Sequence, residues 1–183
     1  MTTAGSPRAV PGADASQDAL RLIDVDHVRF HVGNAKQAAC FYAQCFGFRV
    51  SQLSDLTTGN RTEASYLLTQ GNIRFVLTKD HAAQEEVLKY GDGVKDVAFT
   101  VADAAAAYEL AVRNGAKPAQ EPQETTDEHG TVVRSSICTY GRVVHSFVSR
   151  HGGYALDQVK AGGRFLPQFR DFGSFALNDF NAK

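Results

Sequence analysis

The chain repeats itself. Val25-Asp26-His27-Val28-Arg29-Phe30-His31-Val32-Gly33-Asn34-Ala35 returns about seventy residues later as Val94-Lys95-Asp96-Val97-Ala98-Phe99-Thr100-Val101-Ala102-Asp103-Ala104. Each copy reads as a strand, a helix-capping residue and an Ala-rich helix. Each closes on a late strand, Gly71 to Thr78 in the first and Gly141 to Val148 in the second. A repeat this long exceeds the period of a solenoid. It describes two folding units whose sheets pair around one cavity, the natural seat of any function.

Alternation in the first strand puts Asp26, Val28, Phe30 and Val32 on one face and His27, Arg29 and His31 on the other. The face with Val28, Phe30 and Val32 is expected to meet the helix. Asn34 suits the N-cap, and Gly47 suits the C-terminal stop after Phe46. Strands are predicted over Phe48–Leu56, Thr62–Thr69 and Ile73–Thr78, joined by Gly-Asn turns. In the second unit Asp103 caps a helix that ends near Asn114-Gly115. Strands follow over Pro118–Glu124, Thr131–Tyr140 and Val143–Arg150.

The predicted fold is therefore α+β, two tandem βαβββ modules forming one barrel. A disordered lead-in occupies 1–22, the first module 23–79, a linker helix 80–92, the second module 93–151 and a Phe-rich tail 152–183. Of the 12 Phe residues, Phe165, Phe169, Phe172, Phe175 and Phe180 lie in that tail. So much apolar surface needs something to lie against.

A formal net charge of -1 provides no basic field for nucleic acid. No apolar run reaches the roughly 20 residues of a membrane span, and the mean hydropathy is -0.25. The first residues lack the apolar stretch of a signal peptide. Cys40, Cys45 and Cys138 leave at least one thiol unpaired, which points to a reducing cytoplasm.

Candidate chemistry centres on the cavity. His27 and His31 lie about 13 Å apart along a strand, too far to share one ion. His31 reads as a rim residue. The repeat makes His27 and Asp96 equivalent and points both into the cavity. The matching positions on the last strands are Val76 and Ser146. Valine cannot ligate a metal and serine ligates poorly, so a set of three ligands is not assembled. His145 falls on the opposite face. Cys40 and Cys45 read as small core residues, and Asp127-Glu128-His129-Gly130 as a solvated turn. No Gly-rich phosphate loop and no Gly-x-Ser-x-Gly elbow occurs. No residue is assigned a catalytic, cofactor-binding or metal-ligating role; His27, Asp96, Val76 and Ser146 are degenerate cavity positions.

Several strings carry a resemblance. Asp26-His27-Val28 leading to Val32-Gly33-Asn34-Ala35, Phe46-Gly47-Phe48, Phe75-Val76-Leu77-Thr78, Gly91-Asp92-Gly93-Val94-Lys95-Asp96-Val97-Ala98-Phe99, Asp127-Glu128-His129-Gly130-Thr131-Val132-Val133 and Phe165-Leu166-Pro167 resemble the first half of the 4-hydroxyphenylpyruvate dioxygenase family. Hydroxymandelate synthases share much of the pattern. The resemblance implies a vicinal-oxygen-chelate fold of the glyoxalase and bleomycin-resistance type. It also implies, for the full-length family, Fe(II)- and O2-dependent conversion of 4-hydroxyphenylpyruvate to homogentisate in tyrosine catabolism. The family's iron ligands, two His and one Glu, lie in a second barrel that this sequence does not resemble. The chain is expected to be an inactive, non-catalytic N-terminal barrel with no cofactor of its own. Its expected partners are the missing catalytic barrel or a second subunit in a homo-oligomer. The rival reading is a stand-alone two-module protein that holds a small ligand without chemistry.

Overall fold

The computed structural model describes residues 20–173. The lead-in over 1–19, Phe175 and Phe180 lie outside the described residues. The first unit runs β1 (Leu22–His31), α1 (Ala35–Phe46), β2 (Arg49–Ser54), β3 (Ala64–Gln70) and β4 (Ile73–Lys79). A helix, α2 (His81–Tyr90), leads to the second unit: β5 (Gly93–Val101), α3 (Ala104–Arg113), β6 (Pro118–Asp127), β7 (Gly130–Cys138) and β8 (Val144–Gly152). A short helix, α4 (Leu156–Lys160), and a two-residue strand, β9 (Arg170–Asp171), follow.

The nine strands of the described residues belong to one sheet in the order β6-β7-β8-β5-β1-β4-β3-β2-β9. The order reads outward from the middle in the same way on both sides. In each unit the first strand pairs in parallel with the last, β1 with β4 and β5 with β8. The units join where β1 and β5 pair antiparallel, Val28 opposite Val97 and His27 opposite Ala98. The mixed sheet curls into a half-barrel, the α+β architecture that the repeat predicts.

Both helices begin as the sequence requires. Asn34 is extended, and its side chain accepts from the Gln37 N–H at 3.1 Å. Asp103 accepts from Ala105 and Ala106 N–H at 2.9 and 3.0 Å. Each side chain satisfies donors that the first helical turn leaves free. Gly47 ends α1 with φ of 75°, a left-handed position that costs glycine little.

Alanine decides how the helices pack. Ala35 and Ala39 of α1 lie against Val32, Phe48, Tyr66, Leu68 and Leu77. Ala104, Ala107 and Ala111 of α3 lie with Tyr108 against Val101 and Phe147. Small side chains let the helices approach the sheet closely while the strands supply the bulk. The thiols do not join these cores: Cys138 at the end of β7 is half-buried, and on α1 Cys45 is exposed and Cys40 half-buried because the inward positions of that helix are taken by alanine.

The sheet's other face receives the tail. Val159, Phe165 and Phe169 pack against Leu67 and Val76, and Phe165 is fully buried. β9 adds to the sheet edge, Asp171 opposite Gln52 and Arg170 opposite Leu53. The surface that these apolar side chains were expected to need is the chain's own concave face, which covers Phe165 and Phe169. Among the described residues no helix is long and apolar enough to cross a membrane.

Replacing Asn34 or Asp103 with Ala is expected to destabilise the fold by about 1 kcal/mol each, read as a lower denaturation midpoint with an unchanged slope. Midpoints equal to wild type would show that the caps contribute nothing.

Candidate functional site

Strand register builds the centre of the concave face. Arg29 stands opposite Val76 on β4 and Asp96 on β5, and Ala98 stands opposite His27 on β1 and Ser146 on β8. Alternation then places the side chains of His27, Val76, Asp96 and Ser146 on one face. All four are buried, none more than 1% exposed. The repeat therefore brings together the four positions expected from the sequence.

Asp26 corrects that reading. Alternation assigns it to the helix face with Val28, but a bulge between Val25 and His27 interrupts the β1–β5 register and turns it inward. Its carboxylate accepts from Arg150 Nε and Nη2, both at 2.7 Å, and from Thr100 Oγ1 at 2.9 Å. Burial by itself would raise the Asp26 pKa. The charge and hydrogen bonds of Arg150, aided by His27, outweigh burial and hold the carboxyl well below the usual range. Arg150 also donates Nη1 to the Phe165 carbonyl and lies over the Phe165 ring at 4.8 Å.

An ionised Asp26 settles the tautomer of His27. Their contact is 2.7 Å from Oδ1 to Nδ1, and a carboxylate only accepts, so Nδ1 carries the proton. Nε2 keeps its lone pair, buried and without a protein partner. The Phe165 ring meets the imidazole edge-on at 5.2 Å. Burial lowers the His27 pKa from its ordinary 6.5, against the opposing pull of Asp26.

Asp96 is engaged on both oxygens. Oδ1 accepts from the Ser146 N–H at 3.0 Å, and Oδ2 accepts from Ser146 Oγ at 2.6 Å and Arg134 Nη2 at 3.1 Å. Arg134 Nε in turn donates to Ser146 Oγ at 3.3 Å. Burial, and then the neighbouring charge of Arg29, lower the Arg134 pKa. Arg29 itself lies 3.6 Å from Glu63.

The remaining candidates sit elsewhere. His31 is buried rather than on the rim, its Nδ1 2.9 Å from Glu86 Oε2 of α2. Burial lowers its pKa, Glu86 opposing. His145 takes the opposite face, with Nδ1 3.1 Å from the Val97 carbonyl oxygen. In the Asp127–Gly130 turn Glu128 is solvated as expected, but Asp127 is docked: Tyr154, fully buried, donates its hydroxyl to Asp127 at 2.5 Å. Gly130 has φ of 148°, and a Cβ there would lie 2.3 Å from the His151 carbonyl oxygen. Arg134, Arg150 and Gln52 escaped the sequence reading. Arg150 left a signal, since alternation from Ser146 puts it on the cavity face, where a buried charge demands a partner.

The described residues hold no group of three His, Cys, Asp or Glu side chains able to hold a metal ion. Residues 24–139 match the model of the Glyoxalase/Bleomycin resistance protein/Dioxygenase superfamily. The chain belongs to this superfamily. Within it, the chain is 43% identical over 152 residues to 4-hydroxyphenylpyruvate dioxygenase of Dictyostelium discoideum, covering 79% of this chain and 39% of the relative. It is 41% identical over 140 residues to that of Tetrahymena thermophila, covering 72% and 35%. The chain thus spans less than half the length of these curated relatives. A mutant 4-hydroxymandelate synthase from Streptomyces coelicolor superposes with a TM-score of 0.65 at 22% identity, covering 70% of this chain and 39% of that one. Methylmalonyl-CoA epimerase from Mycobacterium tuberculosis superposes with 0.56 at 17%, covering 71% and 89%. At such identities the superpositions show the shared fold alone.

Two measurements probe the buried cluster. Arg150→Met is expected to destabilise the chain by about 3–5 kcal/mol, because Asp26 is left as an uncompensated buried charge. Asp26→Leu combined with Arg150→Met should recover much of that loss; a double variant as unstable as the sum of the singles would refute the pairing. The folded-state pKa values of His27 and His31 lie below 6.5, so the unfolded chain binds protons first. Stability is full above about pH 6.5 and declines as the pH falls below it. Urea midpoints between about pH 8 and pH 5 should show this decline, less steeply in His27→Asn; an identical slope in that variant would exclude His27.

Proposed function

We propose that this chain is the N-terminal, non-catalytic barrel of a 4-hydroxyphenylpyruvate dioxygenase-like protein, a structural and assembly domain for a catalytic barrel on the same polypeptide or on a second subunit. The observation that carries this reading is the state of the concave face. A non-haem Fe(II) oxygenase site needs three protein ligands and open positions. Of the four equivalent positions here, His27 alone has a buried polar atom without a protein partner. Asp96 accepts three hydrogen bonds, Ser146 Oγ is spent between Asp96 and Arg134, and Val76 has no donor atom. The residues present do not fit Fe(II).

The tail supports the same reading. Phe165 and Phe169 lie on the face where a substrate would have to reach His27, and the carbonyl of Phe165 is held by Arg150. A face filled by the chain's own aromatic residues supplies rigidity instead of a reaction chamber. Relatives named as 4-hydroxyphenylpyruvate dioxygenases, matched over about two fifths of their length, provide the context in which such a barrel would serve.

The purified chain, supplied with Fe(II), ascorbate and 4-hydroxyphenylpyruvate, should consume oxygen no faster than a control without protein. Oxygen uptake that depends on both the substrate and the chain would overturn the non-catalytic reading.

A further inference from the structure

The concave side of the first unit carries a second feature, beside the His27 cluster and touching it through the backbone of Asp26. Arg49 pairs with Thr69, and Thr69 pairs with Arg74. The three residues therefore form one row across β2, β3 and β4. Residues in such a row share a face of the sheet, on strands about 4.8 Å apart. Two guanidinium groups thus flank one hydroxyl.

All three line a cavity of about 440 Å³ between the sheet and the tail, within the range of small-molecule sites. The sheet aims Arg74 into it. This side chain is only 5% exposed, and it donates Nε to the Asp26 carbonyl at 2.6 Å and Nη2 to the Val25 carbonyl at 3.0 Å. Its Nη1 is left without a protein acceptor among the described residues. The side chains of Arg49 and Thr69 likewise make no hydrogen bond or ion pair among the described residues.

The charges around the cavity are uneven. Lys160 projects from α4 but is neutralised by Asp24 at 2.6 Å. Asp171, the carboxylate in the lining, accepts from Gln52 Nε2 at 3.1 Å. Asp24 is shared, since its Oδ2 also lies 4.0 Å from Arg74 Nη2, so the three cations Arg49, Arg74 and Lys160 face two carboxylates, Asp24 and Asp171. Like charges aligned on one face repel unless an anion stands between them. Val159 and Phe172 add apolar surface to the same lining.

We propose that this cavity is a binding site for a small organic anion. Its carboxylate sits between Arg49 and Arg74 and accepts from Thr69 Oγ1, and its hydrocarbon body lies against Val159 and Phe172. Guanidinium groups suit this role because their planar donors match a carboxylate. The site is separate from the degenerate positions at His27 and Asp96, so the inference stands whether or not the barrel is non-catalytic.

Benzoate, benzamide and inorganic phosphate, titrated into the full chain and followed by amide NMR, separate the contributions. Benzoate should give saturable shifts at Thr69, Gly71 and Gly162, which line the cavity. Benzamide, of the same shape without charge, should not saturate, and phosphate should bind more weakly than benzoate. Arg49→Ala and Thr69→Val should each weaken benzoate binding, about tenfold for the former, with the melting temperature little changed; Arg49→Lys should restore part of it. Absent saturation, an equal response to benzamide, phosphate binding as tight as benzoate, or undiminished affinity in Arg49→Ala would each overturn the proposal.

Discussion

The ion pair between Asp26 and Arg150 ties the molecule together. Asp26 belongs to the first unit and Arg150 to the second, and both are almost entirely buried. The same carboxylate orders His27 and Thr100, and the same guanidinium holds the backbone and ring of Phe165. One contact thereby joins both modules and the tail at the middle of the concave face. Burying two charges is costly, and the cost is offset only when every remaining donor and acceptor is matched. Here the matching is dense: Asp26 accepts from Arg150, Thr100 and His27, and Arg150 reaches the Phe165 carbonyl.

That arrangement sets what the face can do. Ligating a metal needs side chains with lone pairs free and aimed at one point. In this chain the polar groups are turned toward one another instead. Asp96, Ser146 and Arg134 close on themselves, and Phe165 seals the edge of His27. Gln52 secures the seal from the far side, its Oε1 accepting from the Phe165 N–H at 3.0 Å and its Nε2 donating to the Gly163 carbonyl at 3.0 Å. The tail is built into the face through backbone groups as well as through apolar burial.

A second, more exposed network fixes the link between the modules. Glu86 of α2 meets His31 at the end of β1 and Lys95 near the start of β5, with Arg142 3.8 Å away. Burial would raise its pKa, but Lys95 and His31 hold it below the ordinary value. Arg142 also lies 4.3 Å over the ring of Tyr90 at the end of α2. The connecting helix is thus anchored to the strands on both sides of the module junction.

Much of this was legible in the linear chain. The repeat specifies two like units, because a strand, a cap and an Ala-rich helix in the same order must fold by the same local rules. Asn34, Gly47 and Asp103 place helix ends through hydrogen bonds and backbone angles that involve only near neighbours. Alternation put His27, Val76, Asp96 and Ser146 on one face because the pleat has period two. What the chain could not reveal by itself depends on distant partners. The bulge that turns Asp26 inward arises in the β1–β5 register, a property of two strands and not of one. Arg150, Arg134 and Gln52 acquire their roles only where a residue far along the chain brings the matching charge or carbonyl. The Phe-rich tail announced that its apolar surface needed covering. That the cover for Phe165 and Phe169 is the concave face of their own sheet was decided by the tertiary structure, because apolar burial is non-directional and only the closed shape names the surface it uses.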